Sequence, residues 1–402
     1  MKKLFCITCL IFLSVLLRAQ SRQTGIWDNA LFASIKEQTG KGNPLYTESY
    51  QKLIAEADSW LSKPDPTIVN KPMAPASGDK HDYMSLGRYW WPNPNTPNGL
   101  PYIRRDGKTN PEIEKYDRRP LADFVEGVVK LTLAYYYSGK TEYAGKAVSM
   151  IKTWYLDPKT KQNPNMNFGQ AVPGVTNEQG RPEGVIDASG FVYVADAIEI
   201  LNSKGMLSQN EMNELKKWFS EFCNWLVNNP LAVQECEAKN NHSMAYDVQL
   251  TRYSMFTGDV STAKRVLNEV PSRRLVPQIE ADGKQPLELA RVTSFHYSVA
   301  NLGHMMDMCD LGRELGISLY SKGENRGSID KALQFLLPYI NDAGKFPYKD
   351  QTVNWQAEAG TLAGLLYRAS FYNPEMAAQY RKIYDDFKQN DYLFKLTYFR
   401  LQ

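Results

Sequence analysis

Histidine and cysteine are scarce in this chain: four His and five Cys among 402 residues. Cys6 and Cys9 fall in the N-terminal apolar run, which leaves Cys223, Cys236 and Cys309. Three cysteines without paired spacing make no zinc site and at most one disulfide, so the fold does not depend on cross-links. They read instead as small apolar core residues. The four histidines, His81, His242, His296 and His304, contain no His-Glu-x-x-His pair, so no metal set and no cofactor is expected. Long apolar runs are also missing. Residues 4–17 form one such stretch, well short of the roughly 20 residues that cross a bilayer. With Lys2 and Lys3 before it and Leu17-Arg18-Ala19 after it, the stretch reads as a secretory signal peptide cut near Ala19. Neither Cys6 nor Cys9 follows the pattern of a lipidation site. The mature protein is expected to be exported, periplasmic or extracellular, with no membrane span. An excess of charge of one sign is lacking too. Loss of residues 1–19 removes Lys2, Lys3 and Arg18 and takes the formal charge from +3 to 0. Such a chain has no general attraction to polyanions, which argues against nucleic acid as a partner. An acidic ligand would need a local cluster of cations.

Alternating β-branched segments are rare, whereas helical patterns recur as pairs. The pairs fall near 27–38 and 45–62, 119–138 and 141–155, 186–203 and 208–228, and 240–257 and 259–270. Two more lie near 296–316 and 328–341, and near 356–372 and 375–388. In the 119–138 segment, Leu121, Val125, Val128, Val129, Thr132, Tyr135 and Tyr136 keep a 3.6-residue stripe, and Gly139-Lys140 ends it. No linker separates two cores. Repeated antiparallel helix pairs with long polar loops at 64–118 and 157–185 describe an all-α fold, a single (α/α) toroid of six to seven hairpins over residues 20–402.

The aromatic supply is large: 24 Tyr, 16 Phe and 8 Trp. Several rings gather in the loop stretch 83–92, where Tyr83, Trp90 and Trp91, with Arg88, offer flat faces and polar edges to a sugar ring. The plainer reading is that some of these rings staple the loop to the helices. Gly99 and Gly107 would let the segment 78–112 act as a lid.

Two blocks carry the chemistry: Asn240-Asn241-His242, and Glu288-Leu289-Ala290-Arg291 through Phe295-His296-Tyr297. They supply a fixed cation, amides, imidazoles and a phenol. That set suits removal of a carbon-bound proton beside a carboxylate, with expulsion of the oxygen on the next carbon. The C5 proton of a uronate leaves only if the carboxylate charge is neutralised as the carbanion forms. Arg291 offers a planar fork and Asn241 an uncharged amide. A tyrosine near cations has its ionised form favoured, so Tyr297 can serve as base, and His242 can contact the carboxylate or take a proton itself. In β-linked mannuronate or glucuronate the C5 hydrogen and O4 lie on one ring face, and Tyr297 alone can serve both. In guluronate they lie on opposite faces, so His242 becomes base and Tyr297 acid.

Each residue also has a structural reading. Asn240 and Asn241 stand where a helix begins and a capping Asn is common. His242, Tyr246 and Gln249 share a helix face, so Tyr246 either packs or borders the sugar. Arg291 could simply pair with Glu288 at i+3. His296 could orient Tyr297, while His81 and His304 read as structural or rim residues. Paired carboxylates for a toroid glycosidase would be Glu183 with Asp187, or Glu235 with Glu237. A non-catalytic glycan-binding protein would need the rings and Arg291 but no base.

Over roughly residues 80–370 the chain resembles the alginate lyase superfamily, with polysaccharide lyase families 5 and 38. The blocks are Asp82-Tyr83-Met84-Ser85-Leu86 through Trp90-Trp91-Pro92-Asn93-Pro94, Gln170-Ala171-Val172-Pro173-Gly174, and Gly184-Val185-Ile186-Asp187. The run Lys239-Asn240-Asn241-His242-Ser243 and the Glu288–Tyr297 block complete the set. Five blocks in family order are a specific signal where a single Asn-Asn-His is not. The sequence departs from the family at Ser243-Met244-Ala245, where members often carry a Gly and bulkier residues. The resemblance implies an (α/α) toroid and metal-independent β-elimination on a 1,4-linked uronan. Alginate is the foremost substrate and glucuronan the alternative. It also implies catalytic roles for Asn241, His242, Arg291 and Tyr297. Expected substrate contacts are Tyr83, Arg88, Trp90, Trp91, Gln170, Tyr246, Glu288 and His296, with an anionic polysaccharide as the partner.

Overall fold

The computed structural model describes residues 25–320, 327–348, 350–387 and 391–400. The leader read over residues 1–19 lies outside them. The fold is the expected ring of helix pairs: α1 Asn29–Gly40 with α2 Pro44–Leu61, α3 Arg118–Ser138 with α4 Thr141–Tyr155, and α5 Phe191–Ser203 with α6 Gln209–Asn228. After a short α7, Pro230–Cys236, come α8 Asn241–Thr257 with α9 Val260–Val270, and α10 Ser294–Glu314 with α11 Ile329–Leu336. The ring ends with α12 Trp355–Ala369, α13 Ala377–Asp386 and α14 Tyr392–Thr397. The short helices α7 and α14 are not evident from periodicity, because six or seven residues are too few to show a stripe. The segment expected to open a helix at 186 is instead a 3-10 stretch, Pro182–Gly190, before α5.

Local signals set the boundaries. Ser208 and Glu211 form a reciprocal capping box at α6. Asn240 accepts the His242 amide at the start of α8. Gly139 adopts φ 75° to end α3, a left-handed turn that a Cβ would strain. Burial separates two kinds of helix. In α8 nearly every residue from Asn241 to Phe256 is buried, whereas α9 buries only Ala263, Val266, Leu267 and Val270 on one face. So α3, α5, α8, α10 and α12 pack successively as the inner wall, and their partners lie outside with a solvent face.

All five inner helices start at the same end. Roughly 16 Å along the α8 axis from that end, the other end is closed by charge pairing. Asp196 accepts the backbone N–H groups of Gly25, Ile26 and Trp27 at 3.1, 3.0 and 2.9 Å and is paired with buried Arg252. Arg252 also binds Glu199 at 2.6 Å. Arg368 joins Asp307 and Asp310, and the chain end closes over it through Tyr46–Phe399, Tyr137–Leu396 and Arg400–Asp28 contacts.

The two long loops cover the other end. β1 Met84–Leu86 pairs in parallel with β4 Phe168–Ala171, and β2 Trp90–Trp91 pairs antiparallel with β3 Ile103–Arg104. The β1–β4 ladder ties the first loop to the second, and the β2–β3 ladder folds the first loop on itself. The three described cysteines are free; Cys309 is buried and the other two half-buried. Among the described residues no helix is long and apolar enough to cross a membrane.

Candidate active site

The N-termini of the inner helices open into a cleft of about 1010 Å³. Converging helix N-termini place positive dipole ends around it, a favourable setting for an anion. Its wall carries five arginines from separate segments: Arg88, Arg104, Arg118, Arg181 and Arg291. Against Glu126, Glu183, Asp187 and Glu235 on the same wall, they leave a small local excess of positive charge, which a chain of near-zero net charge requires for an acidic ligand.

The two sequence blocks meet here. Asn241 and His242 open α8, while His296 and Tyr297 sit in the first turn of α10, and all four border the cleft with Arg291. Arg291 does not pair with Glu288. Its guanidinium lies 3.7 Å from the centroid of the Tyr297 ring and grips Asp106 with Nε and Nη2 at 3.2 and 2.9 Å. Glu288 is buried behind Asn241, accepting its backbone N–H at 2.7 Å and its Nδ2 at 3.0 and 2.8 Å. It is therefore a holder of Asn241 and not a wall residue. Burial pushes the Glu288 carboxyl up, against the pull of those Asn241 bonds.

His242 is bound through Nδ1 to Glu235 at 2.6 Å, which leaves Nε2 as the ring nitrogen available to the cleft. Burial works to lower the imidazole, but Glu235, with Glu183 and Glu288, outweighs it and His242 ends above the ordinary value of 6.5. The Tyr297 hydroxyl is 2.8 Å from that of Tyr89 on the first long loop. Burial and this hydrogen bond push the Tyr297 phenol up, and Arg291 only partly offsets them. The cation expected from the sequence does favour the phenolate, but it does not act alone. The cation is in place, yet the resting phenol is protonated because a dry, hydrogen-bonded site penalises the phenolate more than one guanidinium favours it. His296 contacts Tyr297 edge-on at 5.2 Å and is bonded to Glu358 at 2.8 Å. His304, two turns deeper on α10, is pushed down to about 4 by burial and by His242.

The expected sugar contacts divide. Arg88, Trp90 and Gln170 line the cleft. Gln170 holds Asp187 at 3.0 Å and accepts from Arg181 at 2.9 Å, and its backbone is held at φ 51°. Tyr83 is fully buried and donates to Asp187 at 3.0 Å, so it is a staple. Trp91 also lies outside the wall, donating to Lys108 O at 2.8 Å beneath Arg105. Tyr246 is buried with its hydroxyl on Leu226 O. His81 binds Lys161 O and is structural. Neither glycosidase pair survives as an open pair. Asp187 is occupied by Tyr83, Ser85, Gln170 and Arg118, and Glu235 faces His242 while Glu237 is exposed.

Sequence reasoning overlooked Tyr89, Asp106, Arg104 and Arg181 as site residues. Tyr89 stands in the aromatic stretch already singled out. Asp106 adjoins Gly107 in the proposed lid, but no spacing rule links it to Arg291, 185 residues away.

With this geometry, the chain can be set beside known proteins. The alginate lyase family profile matches residues 67–346. No curated protein sequence matches the chain. Among solved structures, a Bacteroides ovatus alginate lyase is 41% identical over 94% of this chain and 99% of its own, with a TM-score of 0.90. The alginate lyase A1-III of Sphingomonas species A1 has a TM-score of 0.55 over 87% of this chain and 95% of its own. At 16% identity it shows the shared fold alone. A variant of A1-III complexed with a tetrasaccharide has a TM-score of 0.57 over 85% and 89%, again at 16% identity.

Proposed function

We propose that this chain, which belongs to the alginate lyase family and is a polysaccharide lyase, cleaves alginate by metal-independent β-elimination, leaving a 4,5-unsaturated uronyl end. The observation that carries this reading is the placing of Arg291 over the Tyr297 ring in the same arginine-lined cleft as His242.

A uronate carboxylate placed between Arg291 and His242 meets one permanent cation and one imidazole whose cationic form Glu235 favours. Both stabilise the negative charge that grows on the carboxylate as C5 loses its proton. Asn241 borders the same point, but its Nδ2 is engaged by Glu288, so most of the neutralisation falls to the two cations.

For mannuronate, Tyr297 first loses its hydroxyl proton to solvent in the open cleft. The phenolate then takes the C5 proton and passes that same proton to O4 as the glycosidic bond breaks, which regenerates the phenolate. Arg291 on the ring lowers the cost of the phenolate. For guluronate, neutral His242 takes the proton through Nε2 from the opposite face. The protonated resting state of Tyr297 suits its role as acid to O4. Mannuronate and glucuronate differ at C2, away from every bond that changes, so glucuronan is the second reading.

Purified protein incubated with poly-mannuronate, poly-guluronate, glucuronan and hyaluronan, with and without chelator, tests this. Ultraviolet absorbance of a new C4–C5 double bond should rise on alginate blocks and persist with chelator. Saturated products would point to hydrolysis, and binding without turnover would point to a glycan-binding protein. An export route through the signal peptide is part of the same proposal, and secretion of a fusion carrying residues 1–25 would test it.

A further inference from the structure

Three lid residues reach the catalytic wall. Tyr89 meets the Tyr297 hydroxyl, Asp106 grips Arg291 through two oxygens, and Arg104 binds the same carboxylate at 2.9 Å. Asp106 lies outside the cleft wall while Arg291 is part of it, so the carboxylate approaches the guanidinium from the lid side. The strap that delivers Asp106 is built for close approach. Gly107 takes φ 74°, and a Cβ there would lie 2.5 Å from Val292 Cγ2, in the segment between Arg291 and Tyr297. From the other side, the Gln351 amide donates to Val292 O at 2.8 Å. Arg291 is thus held between the lid and the ring.

We propose that Asp106 is a positioning residue that clasps the lid to Arg291 and fixes the guanidinium flat over Tyr297. The inference rests on the roles given above to Arg291 and Tyr297. A guanidinium has five N–H donors in a planar fork. Asp106 takes one on Nε and one on Nη2, leaving the Nη1 edge for a substrate carboxylate. The bidentate grip removes rotation about the fork, and stacking on the ring sets its tilt. Without the clasp, a long side chain would regain its rotamers, and misplacement of about 1 Å is enough for large catalytic loss. Asp106 stays ionised for this task. Burial works against it, but Arg291 and Arg104 hold the carboxyl below its ordinary value.

The test uses the mature chain with Asp106→Ala, and Asp106→Asn as the variant that keeps one acceptor oxygen. Two readouts are needed: kcat and KM on poly-mannuronate, and the Arg291 Nε–H resonance, assigned by its loss in Arg291→Lys. The resonance should carry the upfield ring-current signature of a group over Tyr297. In Asp106→Ala we expect kcat to fall on the order of 10²-fold, with a smaller change in KM and loss of that signature. Asp106→Asn should lie between. Parent-like kcat overturns the proposal, as does a fall in kcat with the Arg291 signature unmoved. Should Asp106→Ala fail to fold, parent-like kcat in Asp106→Asn overturns it. If the lyase reading itself is wrong, the parent makes no unsaturated product, yet the Arg291 resonance still reports whether the clasp exists.

Discussion

The inner helices carry arginine, carboxylate and tyrosine at both ends, and put them to opposite uses. At the closed end, Arg252 lies buried between Asp196 and Glu199, and Arg368 between Asp307 and Asp310. The residues 25–27 and the segment after α14 cover them. At the open end, Arg291 and His242 have one side taken by Asp106 and Glu235 and the other turned to a cavity. The difference is not residue type but whether a further polar partner arrives from the chain itself. Where it does, the charge locks the fold. Where the chain withholds it, a ligand must supply it.

Substitutions at matched positions can break this contrast. Arg252→Ala should have the largest effect on stability, because it leaves Asp196 and Glu199 buried without their cation. A loss of roughly 3–5 kcal/mol is expected, read as a large drop in melting temperature with unchanged kcat per folded molecule. His242→Ala leaves only Glu235 without its partner, so it should lower melting less than Arg252→Ala while reducing poly-guluronate cleavage about 10²-fold. Poly-mannuronate cleavage should fall less, and equal losses on both would remove His242 as the second-face base. The pH dependence follows from Glu235. Because His242 titrates above its ordinary value, the neutral base appears only as pH rises past that raised point. Glu235→Gln should therefore move the acidic limb of poly-guluronate activity to lower pH, and an unmoved limb would contradict the pairing. The smallest effects separate the rings. Trp90→Ala should raise KM by several fold, about 1 kcal/mol, whereas Tyr83→Phe should lower the melting temperature by losing about 1 kcal/mol and leave KM alone.

The same contrast explains what the sequence disclosed. Helix pairs are legible because an outer helix such as α9 buries one face and shows its period. The candidate site blocks are legible because Asn241, His242, Arg291 and Tyr297 stand close in sequence within two short runs. Tyr83 and Trp90 are seven residues apart in one aromatic stretch, and no local pattern shows that the first faces Asp187 and the second the cleft. The balance of influences on the Tyr297 hydroxyl is illegible for a related reason. A nearby cation can be inferred from spacing, but burial and the Tyr89 hydroxyl come from elements far away in the chain. Asp106 is illegible for the same cause, 185 residues from Arg291, whereas Glu235 is only seven residues from His242 and its pairing depends on how the chain turns between α7 and α8.

The central claim is that the open end performs elimination with the Tyr297 hydroxyl moving the proton. The most direct measurement is the initial rate of double-bond absorbance on poly-mannuronate for Tyr297→Phe, taken beside its melting temperature. Removing one oxygen from a ring packed under Arg291 should leave melting near that of the parent and cut the rate by about 10²–10⁴-fold or more. A folded Tyr297→Phe protein with near-parent turnover would contradict the account.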